Sequence, residues 1–330
     1  MNKKIGILGA GSFGTAIANI AAQACGSTVW LWGREAEQIA EIRSTRRNKA
    51  YLPHVEVHPG VLPTAEFADM LALDVLFVVT PSKAIRSIAD RLAEGGFRGI
   101  VVSCTKGIER GSGLRMSQVL EERLPGNVIA VLSGPSHAEE AALGMPTAIV
   151  LACEDEGVAG EIQLMLNGPT FRVYTSPDRA GVELGGALKN IFALAAGVAD
   201  GLGFGDNTKS ALVTRSLVEL VRLGVQMGGN AETFYGLSGL GDLMATCFSR
   251  HSRNRAVGER VGRGEAVGEI NASLHMVAEG VPTTRSVFEY AVQAGLDAPI
   301  LKAVYGLLYE GRSPQVVLTE ILSREPKAEG

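Results

Sequence analysis

The chain has 330 residues, 46% of them hydrophobic, and a formal net charge of −4 at pH 7. This is enough apolar material for a large core and more length than one typical domain needs, so we expect two domains. A weakly acidic chain with mixed charge signs lacks the basic footprint of a nucleic-acid-binding protein, and no nucleic-acid partner is expected.

The first half of the chain alternates short apolar runs with segments of helical periodicity. The apolar runs lack strict alternation, which is typical of strands buried on both faces of a parallel sheet. The order β-α-β predicts a doubly wound, Rossmann-like α/β domain. Strands are predicted at residues 4–9, 28–32, 74–80, 99–104, 128–132, 147–152 and 171–175, and helices at 15–24, 36–46, 83–93 and 113–122.

The longest stretch without a charged side chain covers residues 5–33 and must be weighed as a signal peptide or membrane helix. Glycines and polar residues such as Ser12, Asn19 and Gln23 interrupt it, so it is too polar to span lipid. We interpret it as strand, turn, helix and strand, and we expect a cytoplasmic protein without stable membrane insertion.

Beyond residue 177 the helical period dominates and β-branched clusters become rare, with Pro177 at the seam. This change predicts a first domain at residues 1–177 and a mainly α-helical domain at residues 178–330. The histidines show no metal-ligand spacing, and no metal site is expected. The cysteines form no CxxC pair and are expected to be buried free thiols: Cys25, Cys104, Cys153 and Cys247.

A glycine-rich loop, Gly9, Gly11 and Gly14 with Ser12 and Phe13 between them, follows the first predicted strand and opens a helix. Such glycines permit a tight turn, let the backbone approach a pyrophosphate, and let helix and strand pack closely. The context predicts dinucleotide binding at the helix N-terminus, although a purely structural turn is the alternative.

Arg34 follows the second predicted strand, where many dinucleotide-binding domains carry an acid that binds the adenosine ribose. A guanidinium at this position suits a 2′-phosphate, so NADP(H) is favoured over NAD(H). If Arg34 only stacks on the adenine, either cofactor fits.

Lys189 is one of only three charged residues between positions 181 and 205. Its helical neighbours Gly185, Gly186 and Ala193 are small, which indicates a pocket holding one cation. Burial and a second cation nearby would lower the pKa of this lysine towards neutrality, as suits a proton donor and acceptor. A lysine snorkelling from a packed helix is the alternative.

Further polar groups are placed to complete such a site. Asp242 and Thr246 are spaced to share one face near a helix start. Asp242 could hold the Lys189 ammonium while the Thr246 hydroxyl touches the substrate, or Asp242 could simply cap the helix. Ser252 and Arg253 at a helix start form a phosphate cradle, or an ordinary cap with a solvated basic turn. Lys106 follows a strand end, where ligands of parallel sheets collect, so it is expected to meet the substrate opposite Lys189.

These residues lie within segments that resemble the bacterial NAD(P)-dependent glycerol-3-phosphate dehydrogenases, over nearly the whole chain. Phe13 stands where many members of that family carry Trp. The longest matching segment, at residues 185–209, is very specific. The matching segments are GAGSFGTAIA (9–18), TKGIE (105–109), SGPSHAEE (133–140), GGALKNIFALAAGVADGLGFGDNTK (185–209), GLSGLGDLMATC (236–247), SRNRAVG (252–258) and VAEGV (277–281).

The resemblance implies a reversible conversion of dihydroxyacetone phosphate to sn-glycerol 3-phosphate, a phospholipid precursor, by a homodimer. It implies Lys189 as the proton donor and acceptor, supported by Lys106, Asn190, Asp242 and Thr246. It implies that Ser252, Arg253 and Asn254 hold the substrate phosphate and that Gly134 and Ser136 line the substrate. Cofactor contacts are implied for Gly9, Gly11, Ser12, Phe13, Gly14, Arg34, Lys106, Ala138, Arg253, Val277 and Glu279.

Two other functions are open at this point. A related two-domain reductase, such as a 3-hydroxyacid dehydrogenase or ketopantoate reductase, would share the glycine loop and a helical lysine. The arginine-rich segment at residues 252–255 argues instead for a phosphorylated substrate. A non-catalytic dinucleotide-sensing module would keep the glycine loop without needing Lys189, Asp242 and Arg253 together.

Overall fold

The computed structural model describes residues 3–273 and 277–322. The first part of the chain forms the predicted α/β arrangement, and all seven predicted strands are present. The strands in the described ranges are β1 (Ile5–Leu8), β2 (Val29–Trp32), β3 (Arg47–Asn48), β4 (Leu52–Glu56), β5 (Val61–Thr64), β6 (Val75–Val78), β7 (Ile100–Ser103), β8 (Ile129–Ser133), β9 (Thr147–Ala152) and β10 (Phe171–Ser176).

Eight strands form one sheet in the order β10-β9-β8-β7-β6-β1-β2-β5. From β8 to β5 the strands are parallel, as expected. In contrast, β9 runs antiparallel to β8, and β10 pairs in parallel with β9, so these two strands share the reversed direction. The link from β8 to β9 contains only a five-residue helix, Ala138–Ala142, which rises about 7 Å. This link is too short to return the chain to the end of the sheet where β8 begins. The strand β9 therefore begins near the end of β8 and runs in the opposite direction.

Helices cover both faces of this sheet, which explains why its strands read as continuous apolar runs. Ile7 packs into one core with Ile17 of the first helix, whereas its neighbour Leu8 packs into a second core with Ile88 on the other face. The uncharged stretch at residues 5–33 is thus strand, helix and strand. The helices of this part are α1 (Ser12–Cys25), α2 (Ala36–Thr45), α3 (Ile85–Glu94), α4 (Met116–Arg123), α5 (Ala138–Ala142) and α6 (Glu156–Leu166).

The hairpin β3–β4 and the edge strand β5 were not predicted from the sequence. Pro53 lies in β4 and Pro63 lies in β5, and proline argues against a central strand because it cannot donate to the ladder. Both are tolerated here because β3–β4 is a separate two-stranded sheet and β5 pairs only with β2.

The second part of the described chain is helical, as predicted, and is built around one long buried helix. By length and composition this helix, α7, is also the one described segment that could cross a membrane, and 89% of its most apolar window is buried inside the protein. The helices are α7 (Arg179–Gly201), α8 (Asp206–Gln226), α9 (Asp242–Phe248), α10 (Arg253–Gly262), α11 (Val267–Ser273), α12 (Gly280–Gln293), α13 (Pro299–Tyr309) and α14 (Pro314–Leu322).

All four cysteines are free thiols, in agreement with the prediction. Cys104, Cys153 and Cys247 are buried, but the expectation of burial is wrong for Cys25. Cys25 is exposed because it is the last residue of α1, where Gly26 takes a left-handed conformation and the chain leaves the core.

Candidate active site

The glycine loop between β1 and α1 assigns a different task to each glycine. Gly9 has φ +124°, and a Cβ there would lie 2.4 Å from the carbonyl oxygen of Val79. A Cβ at Gly14 would lie 1.8 Å from the carbonyl oxygen of Gly9. These two glycines therefore serve the turn and the helix packing. A Cβ at Gly11 would meet nothing within 4 Å, so the backbone there stays open to a ligand.

The start of α1 is built to receive an anion. Gly11 is its N-cap and, in the part of the chain that the structure describes, no capping side chain accepts from its first amides. Such free amides and the helix dipole favour a phosphate. The Ser12 hydroxyl donates to the carbonyl of Tyr51 at 2.8 Å, and Phe13 packs partly buried against the core. The loop thus fits the pyrophosphate of a dinucleotide.

Two side chains that the sequence reasoning missed hold this loop in place. The carbonyl of Ala10 accepts from Asn48 at 2.9 Å and from Gln38 at 2.6 Å. Asn48 is fully buried and also donates to Thr15 of α1 at 2.9 Å. No sequence pattern predicts their role, because Asn48 lies in a basic segment that is typical of a solvent-exposed turn.

Arg34 lies beyond the carboxyl end of β2, as predicted, but its guanidinium is paired with its neighbour. Its Nε donates to Glu35 at 2.7 Å, and both side chains are largely exposed, at 80% and 63%. An exposed pair of this kind is weak, so Arg34 is held only loosely.

A carboxylate shared by two lysines lies where the two parts of the chain meet. Lys189, on α7, donates to Asp242 Oδ1 and to the Thr246 hydroxyl, both on α9. Lys106, which follows β7, donates to Asp242 Oδ2 at 2.7 Å and to the carbonyl of Gly134 at 2.9 Å. Residues from α7, α9 and two strand ends therefore meet at one point.

Burial and the neighbouring charges together set the pKa values of Lys189 and Asp242. Burial lowers the pKa of the Lys189 ammonium to about 8, with Asp242 opposing the shift and the positive charge of Lys106 adding to it. Burial alone would raise the pKa of Asp242, but the two ammonium groups and their hydrogen bonds hold it below its usual value. The expected lowering of the lysine pKa is confirmed, and snorkelling is excluded because Lys189 is only 5% exposed.

Small residues beside Lys189 serve close packing. A Cβ on Gly186 would lie 2.2 Å from the hydroxyl oxygen of Ser133, and one on Gly185 would lie 2.6 Å from the carbonyl of Ser238. The glycines thus let α7 pack directly on the strand end and on the π-helical turn Leu237–Gly241, instead of opening the pocket expected there. Ser136 lies next to this contact and donates to the carbonyl of Gly134 at 3.0 Å.

An amide pair links α7 to the start of α10 and α12. Asn254 donates to the side chain of Asn190 at 2.8 Å and accepts from the backbone N–H of Gly280 at 2.9 Å. Ser252 is the predicted N-cap of α10 and accepts from the N–H of Arg255 at 3.1 Å. Both asparagines are buried, and their hydrogen bonds tie α7 to the start of α10 and to α12.

The segment before α12 connects the two parts of the chain. Exposed Arg253 donates to the carbonyl of Val277 at 3.1 Å. Glu279 accepts from the N–H of Ser82 at 2.9 Å and from the Ser82 hydroxyl at 2.6 Å. Ser82 follows β6 and was missed, although the rule that singled out Lys106 beyond β7 applies to it equally. Ala138 is buried at the start of α5.

Within residues 3–273 and 277–322, no group of three or more His, Cys, Asp or Glu side chains could hold a metal ion. His275 lies outside the described residues.

The family model for the N-terminus of NAD-dependent glycerol-3-phosphate dehydrogenase matches residues 4–159, and the model for its C-terminus matches residues 178–319. A glycerol-3-phosphate dehydrogenase [NAD(P)+] from Desulfitobacterium hafniense is 46% identical over 327 residues, which are 99% of this chain and 93% of that relative.

Among solved structures, glycerol-3-phosphate dehydrogenase from Coxiella burnetii superimposes with a TM-score of 0.92 at 36% identity, covering 98% of this chain and 99% of that one. A ketopantoate reductase from Ralstonia eutropha reaches a TM-score of 0.62 at 14% identity over 96% of this chain and 99% of that one, which shows a shared fold alone. The alternative of a ketopantoate reductase is therefore not supported. The chain belongs to the family of NAD-dependent glycerol-3-phosphate dehydrogenases and is an NAD(P)-dependent oxidoreductase.

Proposed function

We propose that the chain reversibly reduces dihydroxyacetone phosphate to sn-glycerol 3-phosphate, which supplies the backbone of phospholipids. The single observation that carries this proposal is the buried Asp242 carboxylate held between the ammonium groups of Lys189 and Lys106. During reduction the carbonyl oxygen of the substrate gains negative charge, so it needs a proton donor and a positive charge close to it. The two ammonium groups can supply both.

In this mechanism Lys189 is the proton donor in reduction and the acceptor in oxidation. The nicotinamide, when bound, supplies or receives the hydride. Lys189 donates a proton to the ketone oxygen, and its pKa of about 8 suits it to both directions near neutral pH. Asp242 and Thr246 fix the direction of the Lys189 ammonium, and Lys106 adds positive charge beside the substrate.

The substrate phosphate is assigned to the N-terminus of α10. Ser252, Arg253 and Asn254 lie there, and Gly134 and Ser136 line the other side of the substrate. Because Arg253 is the one charged residue of these three, it carries most of the charge recognition. Arg253→Ala should raise the KM for dihydroxyacetone phosphate about 30-fold with a smaller change in kcat, as expected for a lost charge-assisted pair. An unchanged KM would place the phosphate elsewhere.

The cofactor is assigned to the glycine loop and the carboxyl edge of the sheet, with NADPH preferred over NADH. The open backbone at Gly11 and the free amides of α1 support this placement. The contacting residues are Gly9, Gly11, Ser12, Phe13, Gly14, Arg34, Lys106, Ala138, Arg253, Val277 and Glu279.

Residues 1–177 are assigned to a dinucleotide-binding domain and residues 178–330 to a substrate and catalytic domain. The protein is assigned to the cytoplasm as a homodimer, consistent with the apolar, glycine-rich second half. Sedimentation of the purified protein at several concentrations tests the dimer.

The direct test follows reduced-nicotinamide absorbance after dihydroxyacetone phosphate is added to the protein with NADPH, and separately with NADH. Loss of absorbance with product formation is expected. Binding of NADPH without turnover would indicate a dinucleotide-sensing module instead. Turnover of an unphosphorylated 3-oxo acid in place of the triose phosphate would indicate a 3-hydroxyacid dehydrogenase.

A further inference from the structure

Ser82 and Glu279 form a contact across the two parts of the chain, 197 positions apart in sequence. Ser82 lies on the loop beyond β6, and Glu279 immediately precedes α12. Both oxygens of the Glu279 carboxylate are used, one by the backbone N–H of Ser82 at 2.9 Å and the other by its hydroxyl at 2.6 Å. Two donors from one residue fix the plane of a carboxylate as well as its position.

Gly107 and the start of α10 lie beside this contact. A Cβ on Gly107, beyond β7, would lie 2.8 Å from the Cβ of Ser82 and 3.3 Å from Oε2 of Glu279. On its other side, the next residue, Gly280, donates its N–H to Asn254. Glu279 is therefore held between the sheet edge and α10.

This placement puts Glu279 among the loops where a dinucleotide is assigned. Because β6 pairs with β1 on one side and with β7 on the other, the Ser82 loop lies between the glycine loop and the loop that carries Lys106. Glu279 is also linked to α7. Its neighbour Gly280 bonds to Asn254, and Asn254 bonds to Asn190, which precedes Ile191 and follows Lys189 on α7.

We propose that Ser82 is a positioning residue for the cofactor, acting through Glu279, an inference that rests on the proposed function. Ser82 holds the Glu279 carboxylate as a fixed acceptor for the ribose hydroxyls or carboxamide at the nicotinamide end of the cofactor. Without the Ser82 hydroxyl the carboxylate keeps one donor and can rotate, so the acceptor must be ordered again when the cofactor binds.

The test compares Ser82→Ala with two matched variants. Ser82→Thr keeps the hydroxyl, and Ser87→Ala removes a nearby exposed hydroxyl that donates only to the carbonyl of Ala84. Ser82→Ala should weaken NADPH binding about tenfold by nicotinamide fluorescence, as expected for one lost hydrogen bond to a charged group. The KM for dihydroxyacetone phosphate at saturating NADPH should stay within about twofold. Ser82→Thr should restore most of the affinity, and Ser87→Ala should leave it unchanged.

A double-mutant cycle separates positioning from a general effect on folding. If Ser82 acts through Glu279, Ser82→Ala should cause no further loss of NADPH affinity in a Glu279→Ala background. Additive losses, or unchanged affinity in Ser82→Ala, would overturn the proposal. Tighter NADPH binding would also overturn it, because Ser82 would then compete with the cofactor for the carboxylate.

The affinity titration does not depend on turnover. If the wild-type protein binds NADPH but does not reduce dihydroxyacetone phosphate, the proposed function fails while the titration still decides the role of Ser82.

Discussion

The glycine loop and the lysine cluster are the two regions to which cofactor binding and proton transfer are assigned, and they are built by opposite means. The loop works through the absence of side chains, and its three glycines lie within six consecutive positions. The cluster works through side chains, and the ion pair between Lys106 and Asp242 spans 136 positions. A site formed by backbone groups can therefore be recognised from a short segment of sequence. A site formed by charged side chains depends on how the whole chain folds.

The strongest test of this contrast removes the central cation. Lys189→Ala should lower kcat about 1000-fold, because both proton transfer and charge stabilisation are lost. NADPH affinity should barely change, since the cofactor is assigned to the backbone of the glycine loop and Lys189 is not among its assigned contacts. Stopped-flow turnover and nicotinamide fluorescence measure the two quantities. Retained turnover would remove Lys189 from its role.

Two alanine substitutions in the loop should separate folding from cofactor binding. Gly14→Ala places a Cβ 1.8 Å from the carbonyl of Gly9 and should destabilise the protein, which thermal unfolding detects. Gly11→Ala meets no protein atom within 4 Å, so the protein should keep its melting temperature but bind NADPH about tenfold more weakly. Equal NADPH affinity in Gly11→Ala and wild type would show that the cofactor does not approach this backbone.

The pH dependence of turnover should report the lysine cluster and not the loop. Because reduction needs the Lys189 ammonium, kcat for reduction should fall about tenfold per pH unit above an apparent pKa near 8. Oxidation needs the neutral amine, so its rate should rise as the pH increases towards the same value. Since Asp242 raises the pKa of Lys189, the limb in Asp242→Asn should move to lower pH. A limb that stays in place would assign the titration to another group.

The smallest effect is expected at the exposed edge of the cofactor region. Arg34→Ala should reduce the preference for NADPH over NADH about threefold, because an 80% exposed guanidinium contributes little through screened charge. The ratio of kcat/KM for the two cofactors measures it. A strong preference of the wild type for NADH would contradict the assignment of Arg34 to a 2′-phosphate.

The architecture could be predicted from the sequence because buried strands and helices leave periodic patterns. The strand Thr147–Ala152 was predicted at its observed bounds, yet its antiparallel direction depends on the length of α5, which periodicity does not encode. The hairpin β3–β4 was missed because its strands are short, mostly polar and contain Pro53.

The site shows the same division. Helical spacing predicted that Asp242 and Thr246 share one helix face, whereas their contact with Lys189 depends on how α7 and α9 pack together. Asn48 could not be predicted, because its burial depends on a hairpin that folds over the glycine loop. Ser82 could have been predicted, because it follows the end of a strand in a parallel sheet, where ligands bind. Its contact with Glu279 could not, because the two residues are far apart in sequence and no local pattern links them.

Two lysines sharing one aspartate leave a surplus of one positive charge in a place that water reaches poorly. Such a charge cluster favours one class of ligand before shape is considered, because an anionic ligand offsets the surplus and a cationic ligand adds to it. A neutral triose of the same size would forgo this attraction. Under the proposed function, the charge count of Lys106, Lys189 and Asp242 favours phosphorylated molecules in addition to the role assigned to Arg253.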